Sequence, residues 1–147
     1  MKELESALSV LCEELGLTRP QPDARGRYLI PVGDLELRLA PWGQQEVVLE
    51  GVIGCMGENA AREWENQQDL LRQILTWNIA RLKGQARPEV LSFDEEDQML
   101  LLWRTWECDD RLPARLLGGA EEMLNELEFW RGKILSVAPT FGRSRSS

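Results

Sequence analysis

Residues 27–53 read RYLIPVGDLELRLAPWGQQEVVLEGVI, and this stretch decides the architecture. Arg27 to Val32 is an apolar run with an early aromatic, Tyr28, and Gly33-Asp34 after it has turn chemistry. Leu35, Leu37 and Leu39 then alternate with Glu36 and Arg38, the period of two that places every second side chain on a buried face. Pro41-Trp42-Gly43 reads as a break. Glu46 to Ile53, with Val47, Val48, Leu49, Val52 and Ile53, is a third strand. Links this short cannot carry a crossover, so the three strands form an antiparallel meander.

Upstream, Leu4, Leu8, Leu11 and Leu15 recur at spacings of a helix face, predicting a first helix from Leu4 to Leu15 with Gly16 as its stop. Pro20 and Pro22 make residues 18–23 an extended connector. Downstream, Asn59 to Lys83 is a long predicted helix with Asn59 as N-cap and a stripe of Trp64, Leu71, Leu75, Asn78 and Leu82. Glu89–Phe93 and Gln98–Glu107 then read as a hairpin around the acidic turn Asp94–Asp97, with an arm apolar on both faces. A last helix with Pro113 in its first turn carries a stripe from Leu116 to Leu135, weakened at Gly118-Gly119. The fold class is therefore α+β: an α-β-β-β-α-β-β-α sandwich in which helices pack on a twisted antiparallel sheet. Residues 1–137 make one domain, and the Pro/Gly/Arg/Ser-rich residues 138–147, with Arg143 and Arg145, read as a disordered tail.

Composition narrows the function. The 147 residues carry a formal net charge of -8, which repels phosphate and disfavours nucleic acid and anionic membranes as partners. No apolar run approaches the roughly 20 residues of a membrane span, and the acidic N-terminus lacks the features of a signal peptide. Cytoplasmic residence is the expectation. Cys12, Cys55 and Cys108 form no CxxC pair, so neither a disulfide framework nor a redox motif is expected. The chain has no histidine, which removes the commonest general base and the commonest zinc ligand. Asp94–Asp97 lacks the ligand spacing of a calcium loop, and Gly54–Gly57 lacks the Lys-Ser/Thr ending of a phosphate loop. No catalytic residue, no metal site and no cofactor is expected.

The six tryptophans, added to so many leucines, exceed what one small core can hide. The surplus predicts a homodimer joined through Leu71, Leu75, Leu100, Leu102, Trp103 and Trp106.

The joint order of these patterns resembles the Tir chaperone family, the class I chaperones of type III secretion. Leu-Leu-Arg-Gln-Ile-Leu-Thr-Trp-Asn at 70–78 is similar to the family's second helix. Leu91-Ser92-Phe93-Asp94 followed by Leu100-Leu101-Leu102 is similar to its hairpin, Leu35-Glu36-Leu37 to its second strand, and Leu112 to Trp130 to its last helix in pattern. Gly118-Gly119 and the basic tail depart from the family pattern. The resemblance implies a non-enzymatic Gram-negative bacterial chaperone that uses no ATP itself. Its dimer is wrapped by an extended segment near an effector's N-terminus, and the secretion ATPase is a further partner. Apolar anchors of the segment are expected to enter a groove involving Leu4, Leu8, Leu11, Leu35, Leu37 and Leu39. The competing expectation is a dimeric regulator or antagonist that sequesters a folded protein partner.

Overall fold

Helix α1 (Lys2–Leu15) buries Leu4, Ala7, Leu8, Leu11 and Cys12, the stripe that a helical repeat aligns. It ends in a six-to-one, five-to-two pair of backbone bonds. Leu17 N–H donates to Cys12 C=O at 2.8 Å and Gly16 N–H to Glu13 C=O at 3.2 Å, with Gly16 left-handed at φ 70°. These features come from a computed structural model that describes residues 2–55, 72–79, 90–94 and 99–135. The predicted acidic turn at 95–97, most of the predicted second helix, Leu71 and the tail lie outside the described residues.

Five strands follow: β1 (Tyr28–Val32), β2 (Leu35–Trp42), β3 (Glu46–Cys55), β4 (Val90–Asp94) and β5 (Met99–Glu107). All neighbouring pairs are antiparallel, in the order β1-β2-β3-β5-β4. The first three form the expected meander. Pro41 and Trp42 do not break β2: the strand runs through both, pairing with Val47 and Glu46, and Gly43–Gln45 makes the turn. A bulge between Val52 and Gly54 shifts the β3–β5 register. The helical residues 72–79, here α2, turn Ile74 into the core and keep Leu75 and Ile79 outside.

Alternation sorts the sheet into two faces. Ile30, Leu35, Leu37, Leu39, Val47, Leu49, Ile53, Leu100, Leu102 and Trp106 share one core with α1 and with helix α3 (Leu112–Leu135). Along α3 the buried positions are Leu112, Leu116, Ala120, Met123, Leu127, Trp130 and Ile134. Helix α3 packs on α1 and spans β3 and β5. No helix of the described residues is long and apolar enough to cross a membrane.

Two glycines let α3 come this close. A Cβ on Gly51 of β3 would stand 2.8 Å from Leu127 Cδ1, and one on Gly119 would stand 2.1 Å from Trp106 Cζ2. The Gly118-Gly119 pair therefore does not interrupt the helix, which is continuous through it. Gly119 is the slot into which the Trp106 indole fits, whereas a Cβ on Gly118 would meet nothing. The pair should separate on substitution. Gly119→Ala should cost about 1–3 kcal/mol through overpacking. Gly118→Ala should add about 0.5–1 kcal/mol through helix propensity. Denaturant midpoints of the two variants check both signs.

Candidate functional site

The α1–β1 flank is organised by a short polar turn. The N–H groups of Arg25 and Arg27 both donate to Asp23 Oδ1 at 2.9 Å, and Arg27 Nε donates to Oδ2 at 3.1 Å. The Arg27 backbone N–H is the largest influence holding the Asp23 carboxyl below its ordinary range, with Arg25 N–H and the Arg27 guanidinium adding to it against partial desolvation. This lock is complete above the ordinary carboxylate range and is lost as pH falls through the lowered value. It leads the connector into β1, where Pro22 bridges Tyr28. Half-buried Leu15, Leu17, Tyr28 and Val32 pack against the core here. Leu4, Leu8, Leu11, Leu35, Leu37 and Leu39 lie beneath, all buried in the single chain.

The residues expected at a dimer contact do not fall on one surface. Leu100, Leu102 and Trp106 face α3 inside the core. Trp103 is partly exposed on the opposite face of the same strand, as the register with Glu50 requires. Leu75 is 55% exposed on α2, one turn from Ile79 at 58%. Leu71 lies outside the described residues. The apolar face offered to solvent at α2 is thus Leu75 and Ile79 together, while Ile74 and Trp77 turn toward the chain's own core. Lys133 Nζ lies 5.1 Å from the Trp77 ring centroid and ties α2 to the end of α3.

The second sheet face holds residues that sequence reasoning passed over. Leu29, Arg38, Glu50, Trp103 and Val90 are successive register partners across the whole sheet. Arg38 is 7% exposed. Its Nε donates to Glu36 Oε2 at 2.8 Å and its Nη2 to Met99 Sδ at 3.3 Å, while Nη1 is buried without an acceptor among the described residues. Trp42 and Trp103 meet at 6.1 Å between ring centroids, although β3 runs between their strands. Val48 is buried on that intervening strand, on the same face. The sequence signal was present: the alternation of β2 continues from Arg38 through Ala40 to Trp42, and only the proline suggested that it stopped.

Residues 6–131 match the Tir chaperone protein (CesT) family. No individually curated protein matches the chain. Solved structures of similar fold include the type III secretion chaperone SycH of Yersinia pestis in complex with a stable fragment of YscM2. It is 20% identical, with 85% of this chain and 97% of that one covered at a TM-score of 0.54. A chain of the ExsC–ExsE complex is 16% identical over 88% of this chain and 92% of its own, with a TM-score of 0.65. A chain of the ExoT–SpcS complex from Pseudomonas aeruginosa is 21% identical over 87% and 97%, with a TM-score of 0.55.

Arg38 makes the second face testable. A buried guanidinium with an unmet donor is an unfavourable use of that position, and an apolar side chain of similar volume avoids it. Arg38→Met should therefore leave the unfolding midpoint unchanged or raise it. Glu36→Ala should lower stability by about 1 kcal/mol, because the same guanidinium then loses its carboxylate. Urea titrations of the two variants give the comparison.

Proposed function

The chain belongs to the Tir chaperone protein family, and we propose that it is a type III secretion chaperone that works as a homodimer in the bacterial cytoplasm. It binds an extended N-terminal segment of an effector, keeps it soluble and secretion-competent, and escorts it to the secretion apparatus, where the ATPase is a further contact. The observation that carries this reading is the family match over 6–131, which takes in α1, every strand and most of α3. The chain's part in this work is binding rather than catalysis.

Physical chemistry supports the division of labour. An unfolded effector segment exposes apolar side chains that aggregate when left in water. A rigid sheet flanked by helices covers them and orders the segment as extended chain, and the entropy cost of ordering calls for a long contact. We place the groove on the α1–β1 flank. Leu15, Leu17, Tyr28 and Val32 are its reachable apolar rim, and Leu4, Leu8, Leu11, Leu35, Leu37 and Leu39 form the floor that fixes its shape. β1 is an edge strand of the described sheet, so beyond the Pro22–Tyr28 bridge its outer side offers backbone pairing to the client. We place the dimer contact on the exposed α2 face of Leu75 and Ile79.

Light scattering should give about twice the 16.8 kDa chain mass. Ile79→Asp should halve the measured mass without lowering the helical signal, since this side chain is already outside the single-chain core. A monomer mass for the unmodified protein would overturn the dimer.

Co-purification from the source bacterium followed by mass spectrometry tests the client. The captured region should be digested readily by protease when alone and protected when bound. Tyr28→Ser with Val32→Ser should reduce capture at least tenfold while the dimer stays folded, a loss of about 1.4 kcal/mol or more. Leu8→Ser should instead unfold the chain. Capture of an independently folded, protease-resistant domain would favour a sequestering regulator instead.

A further inference from the structure

Trp42, Glu46 and Glu107 stand side by side. Trp42 pairs with Glu46 between β2 and β3, and Glu46 pairs with Glu107 between β3 and β5, so the three side chains share one row on the second sheet face. Cys108 N–H donates to Gln45 C=O at 2.8 Å. That bond makes 45/108 a hydrogen-bonded pair and 46/107 the adjacent, more closely spaced kind. Two carboxylates facing each other there repel. Among the described residues no cation pairs with Glu46 or Glu107, and none stands over Trp42, whose side chain is 52% exposed.

The row borders an open cavity of about 570 Å3 lined by Trp42, Glu46, Glu107, Cys108 and Asp109 with the Gly43–Gln45 turn. Among the described residues no lysine or arginine lines it. Asp109 is partly engaged, accepting from Arg111 N–H at 2.9 Å and lying 3.4 Å from Arg115 Nη1. Burial pushes the Cys108 thiol up and the charges of Glu3, Asp109 and Glu46 push it further, against the opposing pull of the N-terminal ammonium, so the net field at this corner is negative.

The same chain shows what completes such an arrangement. Arg104 lies 4.9 Å from the Trp106 ring centroid and bonds Glu122 Oε2 at 2.8 Å, so its guanidinium sits against an indole face and a carboxylate at once. At Trp42 the indole and the carboxylates are present, and among the described residues no lysine or arginine joins them.

We propose that the Trp42–Glu46–Glu107 corner receives an arginine or lysine side chain of the extended client segment. The site adds charge selectivity to apolar anchoring, and it rests on the reading of the chain as a segment-binding chaperone. The occupant is a cation because the corner pairs an aromatic face with carboxylates that no described lysine or arginine pairs. It belongs to a partner because no described cation of this chain reaches it. Occupation relieves the Glu46–Glu107 repulsion, so a basic client residue gains from both contacts.

The test uses the full chain, isotope-labelled so that the indole N–H signal of Trp42 is followed by NMR. The probes are a blocked Ser-Arg-Ser-Arg-Ser peptide and its citrulline counterpart, which keeps the shape and removes the charge. The arginine peptide should shift the Trp42 signal saturably, with at least about fivefold weaker binding for the citrulline form. Glu46→Gln with Glu107→Gln should weaken arginine-peptide binding by about fivefold or more, yet leave Tm unchanged or raised because the repulsion is gone. Equal binding of the two peptides, an unaffected double variant or no saturable shift would each overturn the proposal. A full chain with Arg143→Gln and Arg145→Gln completes the set. If the Trp42 signal moves on that change without peptide, this chain's own tail fills the corner and the partner assignment fails. Client capture measured in parallel separates the two claims: capture that persists undiminished in Trp42→Ala sinks this site alone, whereas absence of any captured client sinks the chaperone reading.

Discussion

The close seating of α3 on β3 and β5 is the contact on which the rest of the molecule depends. It exists because two positions lack a Cβ: Gly51 admits Leu127, and Gly119 admits the Trp106 indole. With α3 held there, its buried stripe from Leu112 to Ile134 and the inward leucines of the sheet close one core, and α1 packs on α3. The far end is pinned by Arg131, whose Nη1 reaches Asp34 Oδ2 at 3.3 Å and Asp34 C=O at 3.2 Å in the β1–β2 turn. Interiors packed to this density tolerate little change in volume, so a single added methyl at 119 propagates into both layers.

That seating also explains why the two sheet faces differ in chemistry. The helix-covered face is mostly aliphatic, with Tyr28, Phe93, Trp106 and Arg104 among its leucines, and Arg104 reaches Glu122 on the rim of α3. The other face carries Arg38, Glu36, Glu46, Glu50 and Glu107 among Trp42, Trp103, Val48 and Leu101. Two indoles 6.1 Å apart across β3, a guanidinium with one donor unmet among the described residues and a facing pair of glutamates are each more favourable with a neighbour than without.

A few residues show how much was legible beforehand. The α1 stripe, the β1–β2–β3 meander and the α3 stripe follow from spacing. Pro41 misled, because a proline ends a strand only where its missing N–H is needed. Gly118-Gly119 misled in the other direction. Local propensity treats both glycines as weak points, yet one of them is required by an aromatic ring from a distant strand. The groove leucines were read correctly as one-sided stripes, but spacing cannot say whether a stripe meets a client or the protein's own core, and within the single chain all of them are sealed. Trp42, Glu46 and Glu107 had no motif to announce them, being 4 and 61 positions apart in the chain and adjacent only through strand register.

The sequence by itself determined the α+β class, the order of the described elements and the inward sides of α1, β2 and α3, because periodicity, turns and caps are properties of neighbouring residues. Tertiary structure decided that β5 inserts between β3 and β4, that Leu100, Leu102 and Trp106 go under α3 while Trp103 goes to the other face, and that a tryptophan and two glutamates share a corner. Those outcomes depend on which strands pair and in what register. Pairing across tens of residues is settled by the global closure of the core, and no local stretch of the chain encodes it.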